Sequence, residues 1–247
     1  MVYLLSQLSN SLWKLQLVNK KNITFTPING LFEINPPEPA SSLIPDWYKN
    51  TDSYISKEKI PNGSGKTNAS IKRCMPVFDA IVAGYIIKSY ADVFVSQKDG
   101  IPYFEWSSGG MVEFHPIEQA GLHPTKKGVP YPKWINPWGI TTPKGYSTFV
   151  IQPMHRESPF TILPGVVDTD TYTAPINFPF VLNDLSFEGL IPAGTPIAQV
   201  IPFKRDSWQM SLGSIKDMET INNVNSKLQT KIFDGYKTLF RQPKEYK

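Results

Sequence analysis

The sequence predicts an all-β fold, and three observations carry that prediction. The 247-residue chain holds 23 prolines against 16 glycines, and proline breaks helix interiors and is pushed to strand edges and turns. Short runs rich in β-branched and aromatic residues recur between turn signals, the pattern of a sandwich or barrel. Apolar residues make up 40% of the chain and charged residues 19%, so the chain is globular and long enough to bury a core.

Three regions follow from the order of these signals. Residues 1–70 read as an irregular arm with short strands, ITFTPI (23–28) and GLFEINP (30–36), around an Asn29-Gly30 turn. The stretch NPPEPASSLIPDWYKN is too rich in Pro and Ser for a regular element. Gly65-Lys66-Thr67 lacks the glycine five residues earlier that a phosphate loop needs; Ile60 stands there. Residues 71–209 form the β-rich body. It opens on the apolar run KRCMPVFDAIVAGYIIKSYADVFVSQ, turns at KDG (98–100) and returns as IPYFEWSS (101–108). YSTFVIQPM (146–154), APINFPFVLND (174–184) and PIAQVIPFKRD (196–206) read as further strands, with Pro179 and Pro202 marking edges or bulges. In residues 210–247, one amphipathic helix is predicted over 213–240. Ile215, Met218, Ile221, Val224, Leu228, Ile232, Tyr236 and Leu239 recur at helical steps, and Ser214 and Asp217 form a capping box. Gln242-Pro243 closes it. Its apolar stripe is expected either to pack on the β body or to dock on a partner or neighbouring subunit.

Composition excludes several classes. No apolar run is long enough for a transmembrane helix, so no membrane partner is expected. The start MVYLLSQLSNSLWKLQLVNKK lacks a basic first segment and a small-residue cleavage site, so it does not read as a signal peptide. The single cysteine, Cys74, excludes an internal disulfide and any multi-cysteine metal site, and points to a reducing, cytoplasmic setting. Cys74 itself reads as a small buried hydrophobe before a nucleophile. The net charge of +4 comes from the tail, which argues only weakly for nucleic acid.

Three groups are candidates for chemistry. Asp168 and Asp170, two apart on an extended chain, point the same way. Such a pair can orient a water or bind a cation, or accept turn hydrogen bonds. His115, Glu118 and His123 carry metal-ligating atoms, but Pro116 and Pro124 deny them a helical face. The aromatic stretch Trp134–Trp138 offers rings for a groove, or for the core or an interface.

Two of these stretches resemble a family. Val166-Val167-Asp168-Thr169-Asp170 resembles the acidic motif of trimeric dUTPases, G-V-I-D-x-D-Y. Pro192-Ala193-Gly194-Thr195-Pro196-Ile197-Ala198-Gln199-Val200-Ile201 resembles their G-D-R-I-A-Q-L motif, shared with dCTP deaminases. The likeness runs from Lys144 to Asp206, about a quarter of the chain. It implies a β-clip, a distorted jelly-roll barrel, and a homotrimer with active sites between subunits. It further implies a deoxynucleotide ligand, with Mg²⁺ if the chain is an enzyme. On it, Asp168 orients the attacking water near the sugar, Tyr172 is the ring that selects deoxyribose, one place late because Thr171 is inserted, and Asp170 belongs to the substrate-binding set. Gln199 holds a structural, phosphate-side position.

The departures are equally specific. In place of the family's R-S-S or R-S-G phosphate motif the chain reads Pro153-Met154-His155-Arg156-Glu157-Ser158. Arg156 and Ser158 can substitute, but Glu157 repels a triphosphate. The glycine-rich closing arm is replaced by SWQMSLGSIKDMET, and the metal-binding Asp has only loose echoes in Asp79 and Asp92. The runs DWYKN, GYII and NPWGITTPKGYS are similar to uncharacterised proteins of tailed phages, which implies a virion or infected-cell setting. The resulting expectation is a non-catalytic oligomeric protein on a dUTPase-like scaffold, a virion or assembly component. The alternatives are a deoxynucleotide enzyme of dUTP pyrophosphatase or dCTP deaminase type, or a binder without turnover.

Overall fold

The computed structural model describes residues 21–28, 35–56, 68–121, 123–125, 128–231, 233–242 and 244–247. The Asn29-Gly30 turn, most of the 30–36 strand, the Gly65-Lys66-Thr67 loop, Ile232 and Pro243 lie outside them. In chain order the strands are β1 (Thr24–Pro27), β2 (Glu38–Pro39), β3 (Tyr85–Lys88), β4 (Val93–Lys98), β5 (Ile101–Trp106), β6 (Val112–His115) and β7 (Tyr131–Trp134). They continue with β8 (Trp138–Thr141), β9 (Tyr146–Ile151), β10 (Phe160–Ile162), β11 (Gly165–Val167), β12 (Phe178–Leu182), β13 (Gly189–Ile191) and β14 (Pro196–Lys204). The helices are α1 (Asp46–Asn50), α2 (Met75–Ile81), α3 (Ile215–Gln229) and α4 (Gly235–Leu239).

The strands fall into four sheets: β1-β8, β10-β12-β7-β6, β11-β9-β14-β3-β2 and β13-β4-β5. Every strand ladder among the described residues is antiparallel. The fold is therefore mostly β with few helices, and no sheet closes into a barrel among the described residues. The β4–β5 hairpin turns through Asp99 (φ 53°) and Gly100 (φ 75°). Two successive positive φ angles give the twist that two-residue hairpins need. Pro202 lies in β14 beyond the end of its ladder with β3, and Pro179 lies in β12 just before its ladder with β10 begins. Each proline thus sits where a strand has a ladder partner on one side, as expected of a residue without an N–H.

The core lies between the sheets. Trp134, Phe160 and Phe180 meet at its centre, with Trp134 stacked on Phe180 at 4.8 Å and edge-on to Phe160 at 5.1 Å. Ile87, Val93, Val95, Val150 and Val200 pack in the same cluster. Trp134 and Trp138 are both buried, so of the uses open to that stretch the fold takes core packing, not a groove. A second small cluster joins Tyr48, Ile81 and Val82 beside Phe78 and ties α1 to α2.

Four local expectations are corrected. The Pro- and Ser-rich stretch holds α1, which Pro45 precedes as N-cap in an extended conformation. The apolar run after Lys72 begins as helix α2, not strand. Pro76 falls in its first turn, where a missing N–H costs nothing. Cys74 precedes that helix and is exposed, not buried. The single helix over 213–240 is two helices. The first ends at Gln229 and the second begins at Gly235, after Asp234 in a left-handed conformation (φ 58°). Asp217 accepts both the backbone N–H and the hydroxyl of Ser214 at 2.7 Å, so the predicted cap is made. No residue of α3 is buried, so its stripe does not pack on the body. No helix among the described residues is long and apolar enough to cross a membrane.

Candidate functional site

Asp168 and Asp170 follow the end of β11, where its ladder with β9 places them beside Gly145 and Ser147. The Asp168 carboxylate accepts from the Ser147 hydroxyl at 2.7 Å and from Arg205 Nη1 at 3.1 Å. Asp170 accepts the Gly145 N–H at 2.8 Å on one oxygen and Arg205 Nη1 at 2.8 Å on the other. Arg205 Nη2 bonds Asp170 as well, so the guanidinium grips it in two places. The Asp170 side chain is 3% exposed, whereas that of Asp168 is 63% exposed. Hydrogen bonds from Arg205 and then from Gly145 hold the Asp170 carboxyl at about 2. Between the two acids, Thr169 is buried and its hydroxyl meets that of Thr142 at 2.7 Å. The backbone N–H groups of Thr171 and Tyr172 both bond the Asp168 carbonyl, closing the turn. The Tyr172 side chain projects into solvent.

Arg205 is the residue the sequence reading missed. It sits just past β14, whose ladder with β9 pairs Lys204 with Tyr146. The Arg205 N–H bonds the Gly145 carbonyl at 2.9 Å, which delivers its side chain to the acid pair. The available signal was the basic pair Lys204-Arg205 at the end of the last predicted strand.

Gln199, Arg156 and Ser158 gather elsewhere. Gln199 lies in register with Ile151, at the far end of β9. It is fully buried and all its polar atoms are used. Its carbonyl accepts the Met154 N–H at 2.8 Å, and its amide donates to the carbonyls of Ala80 at 3.0 Å and Ala83 at 2.7 Å. Arg156 lies in the turn after β9, in an open trough of about 530 Å³ with Trp47, Met154, His155 and Glu157. Its Nε and Nη2 are buried and have no hydrogen-bond partner among the described residues. Burial alone lowers its pKa below the ordinary arginine value. The Ser158 hydroxyl accepts the Phe160 N–H at 3.3 Å. The two groups of candidates thus stand at opposite ends of β9, roughly 14 Å of strand apart, and do not form one site within a chain.

The residues do not fit Mg²⁺. A cation already sits between Asp168 and Asp170. Asp79, one echo of the metal-binding Asp, is taken by Arg241 at 2.7 Å and Lys244 at 2.8 Å. Asp92, the other, accepts the Ala193 N–H at 2.7 Å. Among the described residues no group of three or more metal-ligating side chains occurs. His115 and His123 instead bond Gln119 at 2.5 Å and Thr125 at 2.7 Å.

Fold and site together define a mostly antiparallel β protein whose acid pair is closed by an internal arginine. No family model matches the chain. No curated protein matches it either. Among solved structures it is similar to a mutant dUTPase from phage phi11 of S. aureus, at a TM-score of 0.29 and 14% identity over 56% of this chain and 85% of that one. It is similar also to a mutant Staphylococcus bacteriophage 80alpha dUTPase bound to dUpNHpp, at a TM-score of 0.29 and 14% identity over 54% and 76% of the two chains. A likeness of that degree leaves function to be argued from the residues themselves.

Proposed function

We propose that this chain is a non-catalytic, self-associating protein on a dUTPase-like β scaffold, an assembly component that does not turn over nucleotides. The observation that supports this most is Arg205. A carboxylate that orients a water must present a free oxygen to it, and proximity supplies most of the advantage. Here both oxygens of Asp170 are taken by Arg205 and Gly145, and Ser147 and Arg205 share one oxygen of Asp168, so of the four oxygens in the pair only the second of Asp168 is left for a water, beside a fixed guanidinium. Gln199 likewise serves as a buried strut between β14, α2 and the turn after β9. The trimer that the sequence resemblance implies is the assembly expected.

Incubating the chain with dUTP or dCTP and Mg²⁺ while following both pyrophosphate and ammonia tests this reading. No release above a mock-purified control is expected. Release that disappears in Asp168→Asn would overturn it.

A second reading, a deoxynucleotide binder, draws on one observation: the buried guanidinium edge of Arg156, without a partner among the described residues. A buried unpaired cation is costly, and an anion would relieve it. Thermal melting against a deoxynucleotide panel separates the readings. A ligand at a hundredfold its Kd adds about 2.7 kcal/mol, and that gain should vanish in Arg156→Gln.

A further inference from the structure

Past Asp206 the chain has left its sheet, and residues 207–212 join no strand ladder among the described residues, yet their pattern is that of a strand. Ser207-Trp208-Gln209-Met210-Ser211-Leu212 alternates polar and apolar without a break, which puts three large apolar side chains on one face of an extended segment. Trp208, Met210 and Leu212 are 90%, 88% and 91% exposed. Helix α3 follows directly, and Ile215, Met218 and Ile221 on its stripe are exposed too. Fifteen residues of helix are marginal alone in water, so a covered stripe is what would stabilise it. The segment is held at both ends: Arg205 is bound to Asp168 and Asp170 at its root, and Asp234 is bound to Arg73 beyond it.

A complementary surface lies on the same chain. β5 ends its sheet among the described residues and runs for six residues, the longest such edge. Six is also the length of 207–212. Ile101 and Tyr103 on β5, Phe94 on β4 and Leu190 on β13 are all about half exposed, with Leu190 and Phe94 in register. An open edge beside an apolar face is a pairing template that proteins ordinarily avoid.

We propose that the arm over 207–221 docks on a second copy of this chain, its extended half adding a strand to β5 and its helical stripe covering Phe94, Tyr103 and Leu190. This rests on the self-association reading and names the segment responsible. Every chain carries both halves of the contact, and the arm leaves its own β5 unpaired. Six apolar side chains, each removing roughly 60–120 Å² from water, together with the paired backbone, approach the roughly 800 Å² per partner of a stable interface. Arm-to-edge contact joins unlike surfaces, so it propagates head to tail and closes as a ring. Main-chain pairing supplies the affinity and the alternate side chains supply the register.

The test places a benzophenone amino acid at position 208 and mixes isotope-labelled with unlabelled protein before irradiation. Heavy-to-light cross-links into 94–106 are expected, and cross-links only within one copy would overturn the proposal. In parallel, Trp208→Glu combined with Met218→Lys should reduce the mass measured by light scattering to 27.9 kDa, with the circular dichroism of the sheets retained. An oligomer that persists in this variant overturns the arm contact and leaves the self-association reading intact. A wild-type monomer across micromolar concentrations overturns both and assigns the arm to a different partner.

Discussion

Arg205 grips Asp170 with both of its terminal nitrogens, one on each carboxylate oxygen, and the Gly145 N–H shares the second oxygen at 2.8 Å. The contact spans 35 residues of sequence. It pins the acidic turn to the end of β14 at the point where the chain leaves the sheet. A planar guanidinium on a carboxylate gives direction as well as attraction.

This pair makes stability depend on acid in a defined window. The Asp170 carboxyl is held at about 2 against an ordinary value of 3.8. A depressed carboxylate contributes stability that is complete above the unfolded value and is lost as pH falls toward the folded one. Thermal midpoints should therefore be flat above pH 5 and fall between about pH 4 and pH 2. Asp170→Asn should be less stable at neutral pH and should lose that part of the acid dependence. A mutant whose acid profile matches wild type would show that the pair carries no linkage.

Asp168→Asn should cost less. Its side chain is 63% exposed, and an amide oxygen still accepts from Ser147. A loss of about 0.5–1 kcal/mol by urea denaturation is expected, well short of the effect at Asp170. A reversed order would mean that Asp168 is the structural member.

Why the acid pair was legible and its arginine was not follows from distance along the chain. Asp168 and Asp170 belong to one contiguous motif. Arg205 reaches them only through the register of β14 on β9, which no local pattern encodes. The period of α3 and its cap were readable, and the Asp234-Gly235 dipeptide was an available break signal. Whether the stripe is covered depends on tertiary packing, which periodicity does not report. At α2 a short apolar run was ambiguous between strand and helix; Pro76 in its first turn was the deciding signal. Gln199 matched a family motif, but only the geometry reveals that its hydrogen-bonding atoms are spent on Met154, Ala80 and Ala83.

Gln199→Leu tests that strut. The apolar side chain would strand the Met154 N–H and leave two carbonyls short of a donor in a buried place. Stranded buried groups cost roughly 1–3 kcal/mol each, so a loss of more than about 2 kcal/mol is expected. Hydrogen exchange should quicken first at the C-terminal turn of α2. An unchanged denaturation midpoint would mean that water replaces the side chain.

Gly84→Ala should be among the most damaging single changes. Gly84 sits at φ +66°, and a Cβ there would stand 2.0 Å from the Val200 carbonyl oxygen. The oxygen is backbone and a Cβ is fixed by the backbone that bears it, so neither can swing away unless the β3–β14 pairing shifts. Left-handed strain alone costs about 1–3 kcal/mol, and the clash adds to it. Failure to accumulate soluble protein, or a loss of more than about 3 kcal/mol, is expected. A well-folded Ala variant would show that β3 can shift on β14.

The last prediction concerns the return of the chain after the arm. Asp79 on α2 receives Arg241 at 2.7 Å and Lys244 at 2.8 Å, while Arg241 also lies over the Phe78 ring at 5.8 Å. Burial by itself would raise the Asp79 carboxyl, but the hydrogen bonds from Arg241 and Lys244 together bring it below its ordinary value. Tyr246 adds an edge-on contact with Tyr85 at 6.1 Å. Removing the acid leaves two cations facing each other without a counter-charge, so the segment should detach while the sheets persist. Asp79→Ala should therefore expose 233–247 to trypsin at low enzyme ratio, with cleavage after Arg241 and Lys244 preceding any cut in the body. Raising salt should produce a milder version in the wild type, because these charges are partly solvated and screening weakens them. Equal cleavage rates in wild type and mutant would mean that the Asp234–Arg73 pair and the aromatic contacts hold the segment down without Asp79.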